Sequence, residues 1–85
     1  MGHPKLPTPA QARFYETLSL NLRYYRNRLE MTQVQVADRA DCSPKYISIL
    51  ETSCYDHPPS LPLFFYLAEA LEVEPYKLLK PLGQE

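Results

Sequence analysis

Few side chains in this 85-residue chain are of types that do chemistry, and their spacing narrows the field further. Cys42 and Cys54 form no Cys-x-x-Cys pair, and His3 and His57 stand alone, so no group has the spacing of a metal site. Cys42 reads as a small core residue, and the histidines read as solvated. There is no Ser/His/Asp or Cys/His arrangement, no carboxylate pair in a recognisable cleft and no Gly-rich phosphate loop, so an enzyme is the weakest functional class. No cofactor, metal or small-molecule ligand is implied. What remains is one stretch, TQVQVADRADCSPKYISILE, Thr32 to Glu51, which reads as two short helices with a break between them.

The elements that must position this stretch are helical. Apolar residues recur at Phe14, Leu18, Leu22, Tyr25 and Leu29, one stripe of a first helix spanning about Ala10 to Leu29, with Arg13, Arg23, Asn27 and Arg28 on wetter faces. Thr32 has the chemistry of a helix cap, and the run Val34, Val36, Ala37, Ala40 forms a second helix ending at Asp41. Its β-branched valines lower intrinsic propensity, so packing must hold it. Ser43-Pro44 restarts the chain, serine as cap and proline at the first helical position, where a missing N–H costs nothing. The third helix runs from about Pro44 to Thr52, with Tyr46, Ile47 and Leu50 inward and Pro44, Lys45, Ser48 and Ile49 on the opposite side. Ser60 caps a fourth helix, Leu61 to Leu71, whose LPLFFYLAEAL is apolar almost all round and predicts the central core element. Glu74-Pro75 opens a short fifth helix with Tyr76, Leu78 and Leu79, ended by Pro81. There is no strand-like alternation. Two helices joined by about three residues cross steeply and leave the second free to project into a groove, which is a helix-turn-helix.

Composition bounds the rest. This length makes one domain with a marginal core. Residues 1–9 read as a flexible N-terminal tail, 10–80 as the domain and 81–85 as a C-terminal tail. No apolar run approaches the roughly 18 residues needed to cross a bilayer, and MGHPKLPTP lacks the features of a signal peptide or myristoylation signal. A soluble, cytoplasmic protein with reduced thiols is expected, without a membrane partner. The formal net charge is −1. Residues 1–55 carry seven Lys+Arg against five Asp+Glu, and residues 56–85 carry two against five, so the positive bias is mild and confined to the first part.

The residues also resemble a named family. Leu22-Arg23-x-x-Arg26, Thr32-Gln33-x-x-Val36-Ala37, Ser43-x-x-Tyr46-Ile47-Ser48-x-Leu50-Glu51, Pro59-Ser60-Leu61 and Leu67-Ala68-x-Ala70-Leu71-x-Val73 together resemble the XRE family, the lambda-type phage repressor and Cro domain. The resemblance covers about Leu18 to Leu79 and implies an all-α, compact five-helix fold with the helix-turn-helix at helices 2 and 3. It implies double-stranded DNA as partner and a sequence-specific transcriptional regulator of bacterial or phage type, placed at the nucleoid. In the family the Thr-Gln pair opening helix 2 braces the third helix and reaches DNA backbone, which falls here on Thr32 and Gln33. Ser43 falls where the family caps the recognition helix and touches phosphate, and the base-reading positions fall on Pro44, Lys45, Ser48 and Ile49. Lys45 suits guanine or phosphate, Ser48 several bases and Ile49 only thymine methyls. Arg26 and Glu51 match a structural ion pair.

Departures from the family matter as much. Asp41, Ser53 and Glu72 stand where it often has glycine, and the Glu72 connection is expected to be rearranged or strained. The loop Thr52-Ser53-Cys54-Tyr55-Asp56-His57 has no Lys or Arg, so Thr52, Ser53 and Tyr55 are its phosphate-contacting candidates, with little counterion release. Seven tyrosines and three phenylalanines are many for the size. Phe14, Tyr25, Phe64 or Phe65, and Tyr76 are expected in the core, while the neighbours in Phe14-Tyr15, Tyr24-Tyr25 and Phe64-Phe65 point about 100° apart and cannot all face inward. The outward ones suit a homodimer patch. The competing reading is a helix-turn-helix fold turned to protein partners, in an antitoxin-like or scaffold role, favoured by the weak charge and the Pro44/Ile49 face.

Overall fold

The structure, a computed structural model, describes residues 6–83; His3 and the outer parts of both tails lie outside them. Four α-helices follow in order: α1 Pro9–Arg28, α2 Gln33–Ala40, α3 Pro44–Thr52 and α4 Leu61–Ala70. The expected fifth α-helix is instead a 3-10 turn, Pro75–Leu79. It has five residues and no side-chain cap, and Lys80 already turns extended ahead of Pro81, too little chain for a stable α-helix.

Each start is set by a hydroxyl. Thr8 and Gln11 form a capping box, which brings Pro9 into α1 one residue before the expected Ala10. Thr32 and Gln35 form a second box on α2, while Ser43 and Ser60 accept the N–H of Tyr46 and of Leu63 ahead of α3 and α4.

Three of the helix ends share one device. After α1, Glu30 takes φ 56° and its N–H donates to the Asn27 carbonyl, while Met31 N–H donates to that of Arg26. After α2, Asp41 takes φ 58° and Cys42 N–H reaches the Ala37 carbonyl. After α4, Glu72 takes φ 59° and Val73 N–H reaches the Ala68 carbonyl. These are Schellman-type closures with the left-handed position filled by a side chain that glycine would spare of strain. The Glu72 turn is thus strained, as expected, but not rearranged, and Glu30 is a third such position that the family comparison of glycines passed over.

The core joins Leu18 and Leu22 of α1, Val36, Ala37 and Ala40 of α2, Ile47 and Leu50 of α3, and Leu67, Ala68, Ala70 and Leu71 at the end of α4, with Met31, Cys54 and Leu78 from the connections. α2 packs against both α3 and α4, and α1 against α3 and the 3-10 turn. Several expected core positions lie elsewhere. Phe14, Leu29, Val34 and Tyr76 are exposed. α4 is not buried all round: Leu61, Phe65 and Tyr66 face solvent, while α2 and the 3-10 turn are its main neighbours. Of the thiols it is Cys54 that is fully buried, and Cys42 is only half-buried.

One polar core residue ties the ends of the fold together. Asn21 is completely buried, and its Nδ2 donates to the carbonyls of Lys77, Leu78 and Lys80 at 3.2, 2.8 and 2.9 Å. These carbonyls lie at the end of the 3-10 turn, where only that of Lys77 also takes a backbone N–H, from Lys80, so a single amide caps the turn from across the domain. Its own Oδ1 has no partner.

Candidate nucleic-acid interface

The stretch from Thr32 to Glu51 folds as α2, a turn at Asp41–Ser43, and α3. The inner side of α3 is fixed by more than apolar packing. Glu51, 6% exposed, accepts from Arg26 Nε at 2.6 Å and Nη2 at 3.0 Å, and from Gln33 Nε2 at 3.1 Å. Arg26 also donates through Nη1 to the Met31 carbonyl at 2.8 Å. The hydrogen bond to Glu51 raises the Arg26 pKa, against burial that lowers it, so the guanidinium stays charged. This network joins α1, the α1–α2 connection, the first residue of α2 and the last turn of α3, so the recognition-type helix cannot rotate without breaking a charge-assisted pair.

The outer side of α3 is open. Pro44, Lys45, Ser48 and Thr52 are exposed and Ile49 is half-buried. Ser48, Ile49, Thr52 and Ser53 line a groove of about 260 Å³ together with Asp56 and His57. Several hydroxyls that could donate outward are already engaged: Thr52 Oγ1 donates to the Ser48 carbonyl at 2.9 Å, and Ser53 Oγ donates to Asp56 Oδ2 at 3.1 Å while accepting Asp56 N–H. By contrast the caps Thr32 and Ser43 use their oxygens as acceptors, which leaves their protons for an outside acceptor. The first N–H groups of α2, on Gln33 and Val34, lie beside Thr32 at the positive end of the helix dipole. The free donors on this side are thus mainly the capped helix N-termini, with Lys45 the one basic side chain of α3.

The predicted site residues do not all meet on one surface. Pro44, Lys45, Ser48, Ile49 and Thr52 share the outer side of α3, and Thr32 and Gln33 flank it at the start of α2. Tyr55 stands apart: its ring meets Tyr15 of α1 edge-on, with centroids 6.3 Å apart, and lines a different groove. Asp56 and His57 were missed as wall residues of the α3 groove. The Ser53-x-x-Asp56 spacing, that of a reciprocal side-chain turn, is the signal that places them there. Arg39 pairs with Glu72 at 3.0 Å and caps the Ala70 carbonyl, so it is drawn to α4.

Nucleophilic chemistry finds no support at the thiols. Burial pushes Cys54 up, and Cys54 Sγ donates to the Leu50 carbonyl. Burial and the nearby Asp41 push Cys42 up as well, so neither thiol is poised as a thiolate. Among the described residues no group of three His, Cys, Asp or Glu could hold a metal ion, and no helix is long and apolar enough to cross a membrane.

A short helix fixed at the foot of another, with one side in the core and the other bare, defines a helix-turn-helix domain. The helix-turn-helix family model of XRE type matches residues 22–78, and the chain belongs to that family. Among solved structures, the restriction-modification controller protein C.AhdI from Aeromonas hydrophila is similar at 25% identity and a TM-score of 0.69, over 75% of this chain and 94% of its own. A hypothetical transcription factor, NHTF, from Neisseria matches at 24% identity and a TM-score of 0.76, over 99% of this chain and 92% of its own. A mutant of the restriction-modification controller C.Esp1396I matches at 18% identity and a TM-score of 0.68, over 76% and 82%. No curated protein matches.

Proposed function

We propose that the protein is a sequence-specific, DNA-binding transcriptional regulator of bacterial or phage type, acting in the cytoplasm at the nucleoid through residues 10–80. The observation that carries this reading is the contrast across α3: its inner side is held by the Arg26–Glu51–Gln33 network, and its outer side is bare and flanked by two capped helix N-termini. In the proposed complex α3 lies in the major groove, with Lys45 donating to a phosphate at the groove edge, Ser48 to base edges and Ile49 against thymine methyls. The N-termini of α2 and α4 face phosphates. Gln33 keeps a second amide proton beyond the one given to Glu51, enough for one backbone contact. Membership of the XRE family and likeness to a controller of restriction-modification support regulation rather than catalysis. The exposed Leu61, Phe65 and Tyr66 of α4 supply the surface for a homodimer, which would bind paired half-sites.

A second reading, in which the fold serves a protein partner in an antitoxin-like or scaffold role, is favoured by Asp56 on the groove beside α3 and by Lys45 as the one basic side chain on that helix. Fluorescence anisotropy on random and genomic duplexes, at two salt concentrations, separates the two. Salt-dependent binding weakened by Gln33→Ala and Lys45→Ala supports the regulator; no binding at low salt by folded protein supports the protein partner.

A further inference from the structure

Arg13 and Arg23 on α1 line an open groove of about 320 Å³, whose opposite wall is Thr52, Ser53 and Tyr55. We infer that this groove is a second phosphate-binding surface, which holds DNA backbone flanking the segment met by α3; the inference rests on the DNA-binding reading above.

Four observations carry it. The groove is built rather than incidental: Ser19 Oγ accepts the Cys54 N–H at 2.8 Å and Tyr15 packs edge-on against Tyr55, so two contacts from α1 fix the loop that forms the far wall. It is continuous with the α3 groove, because Thr52 and Ser53 line both. Its cations are free: among the described residues the ion pairs take Arg26 and Arg39, not Arg13 or Arg23. The groove also contains Glu16 and Glu51, but Glu51 is neutralised by Arg26, which leaves Glu16 as the one opposing charge.

The span fits the ligand. Ten residues of helix separate the arginines by about 15 Å, roughly four phosphate steps of axial rise along one strand. Two guanidiniums at this spacing supply the charge that the loop after α3 lacks, and they do so from α1. Half of this surface, including Arg13, Tyr15, Glu16 and Ser19, precedes residue 22, where the family match begins.

The test is the salt dependence of duplex binding for wild type, the Arg13→Gln/Arg23→Gln double variant and Glu16→Gln, with Lys45→Ala as reference and thermal midpoints to verify folding. Each phosphate contact contributes about 0.9 to the slope of log K against log salt, so the double variant is expected to lower its magnitude by about 1.8. Glu16→Gln is expected to tighten binding several-fold at low salt. An unchanged slope in the double variant, while Lys45→Ala still weakens binding, would overturn the second surface and leave the regulator reading standing. Loss of self-association in the double variant with an unchanged slope would overturn it in favour of a protein contact. A folded wild type that binds no duplex would overturn both.

Discussion

The two sides of α3 are specified to very different degrees. Inward, Ile47 and Leu50 are buried, and Glu51 gathers three donor groups from Arg26 and Gln33. Outward, there is one lysine, one free serine hydroxyl, a proline without a donor and a half-buried isoleucine. The position of the helix is therefore over-determined, while what it meets is set by few groups. On the proposed reading, specificity then draws on DNA shape and on contacts made away from α3 as much as on direct base readout.

Substitutions sharpen this contrast, and the largest effect is expected inside. Glu51→Ala leaves the Arg26 guanidinium, 14% exposed, without its carboxylate and frees Gln33. Breaking such a pair from one side costs about 3 kcal/mol, or roughly 15 °C in the thermal midpoint. A midpoint within a degree or two of wild type would show that the network does not hold α3 in place. Asn21→Asp comes next: it removes the donors to three carbonyls and sets a carboxylate among them, so a loss of about 2–3 kcal/mol is expected in urea titration. Protonation of the new carboxyl lessens the penalty, so this deficit relative to wild type shrinks as the pH falls; a pH-independent deficit would contradict the account.

A smaller effect of opposite sign is expected at the turn after α1. Glu30 holds φ 56° and has no side-chain hydrogen bond, so Glu30→Gly relieves left-handed strain that is partly offset by a more flexible unfolded chain. A gain of about 0.5–1 kcal/mol is expected, read as a higher denaturation midpoint at unchanged m-value. The same change at Glu72 gains less, since it also removes the exposed pair with Arg39. On the outer side, Lys45→Ala is expected to leave stability within about 0.5 kcal/mol of wild type.

The legible part of the fold was the part written in local chemistry. Thr32, Ser43 and Ser60 announced three helix starts, and the Leu18–Leu22 spacing announced the buried side of α1, because caps and periodicity act over a few residues. The misplacements came from edges. Phe14, Tyr76 and the outer side of α4 have core-like composition, but whether a second element covers them is decided by tertiary geometry that no local pattern encodes. Asn21 was unreadable for a related reason: an amide within an apolar stripe looks like a flaw until its carbonyl partners, more than fifty residues away in sequence, are seen. In the candidate interface, the spacing placed the α3 residues together, but it did not show that Thr52 and Ser53 spend their hydroxyls internally, nor that Tyr55 turns to α1.

The most direct test compares duplex binding by wild type and Lys45→Ala across a salt series, with the thermal midpoint of each. The account predicts binding that weakens linearly in log salt, a slope reduced by about 0.9 in Lys45→Ala and equal midpoints. Identical slopes in two equally stable proteins, or no binding by folded wild type, would contradict it.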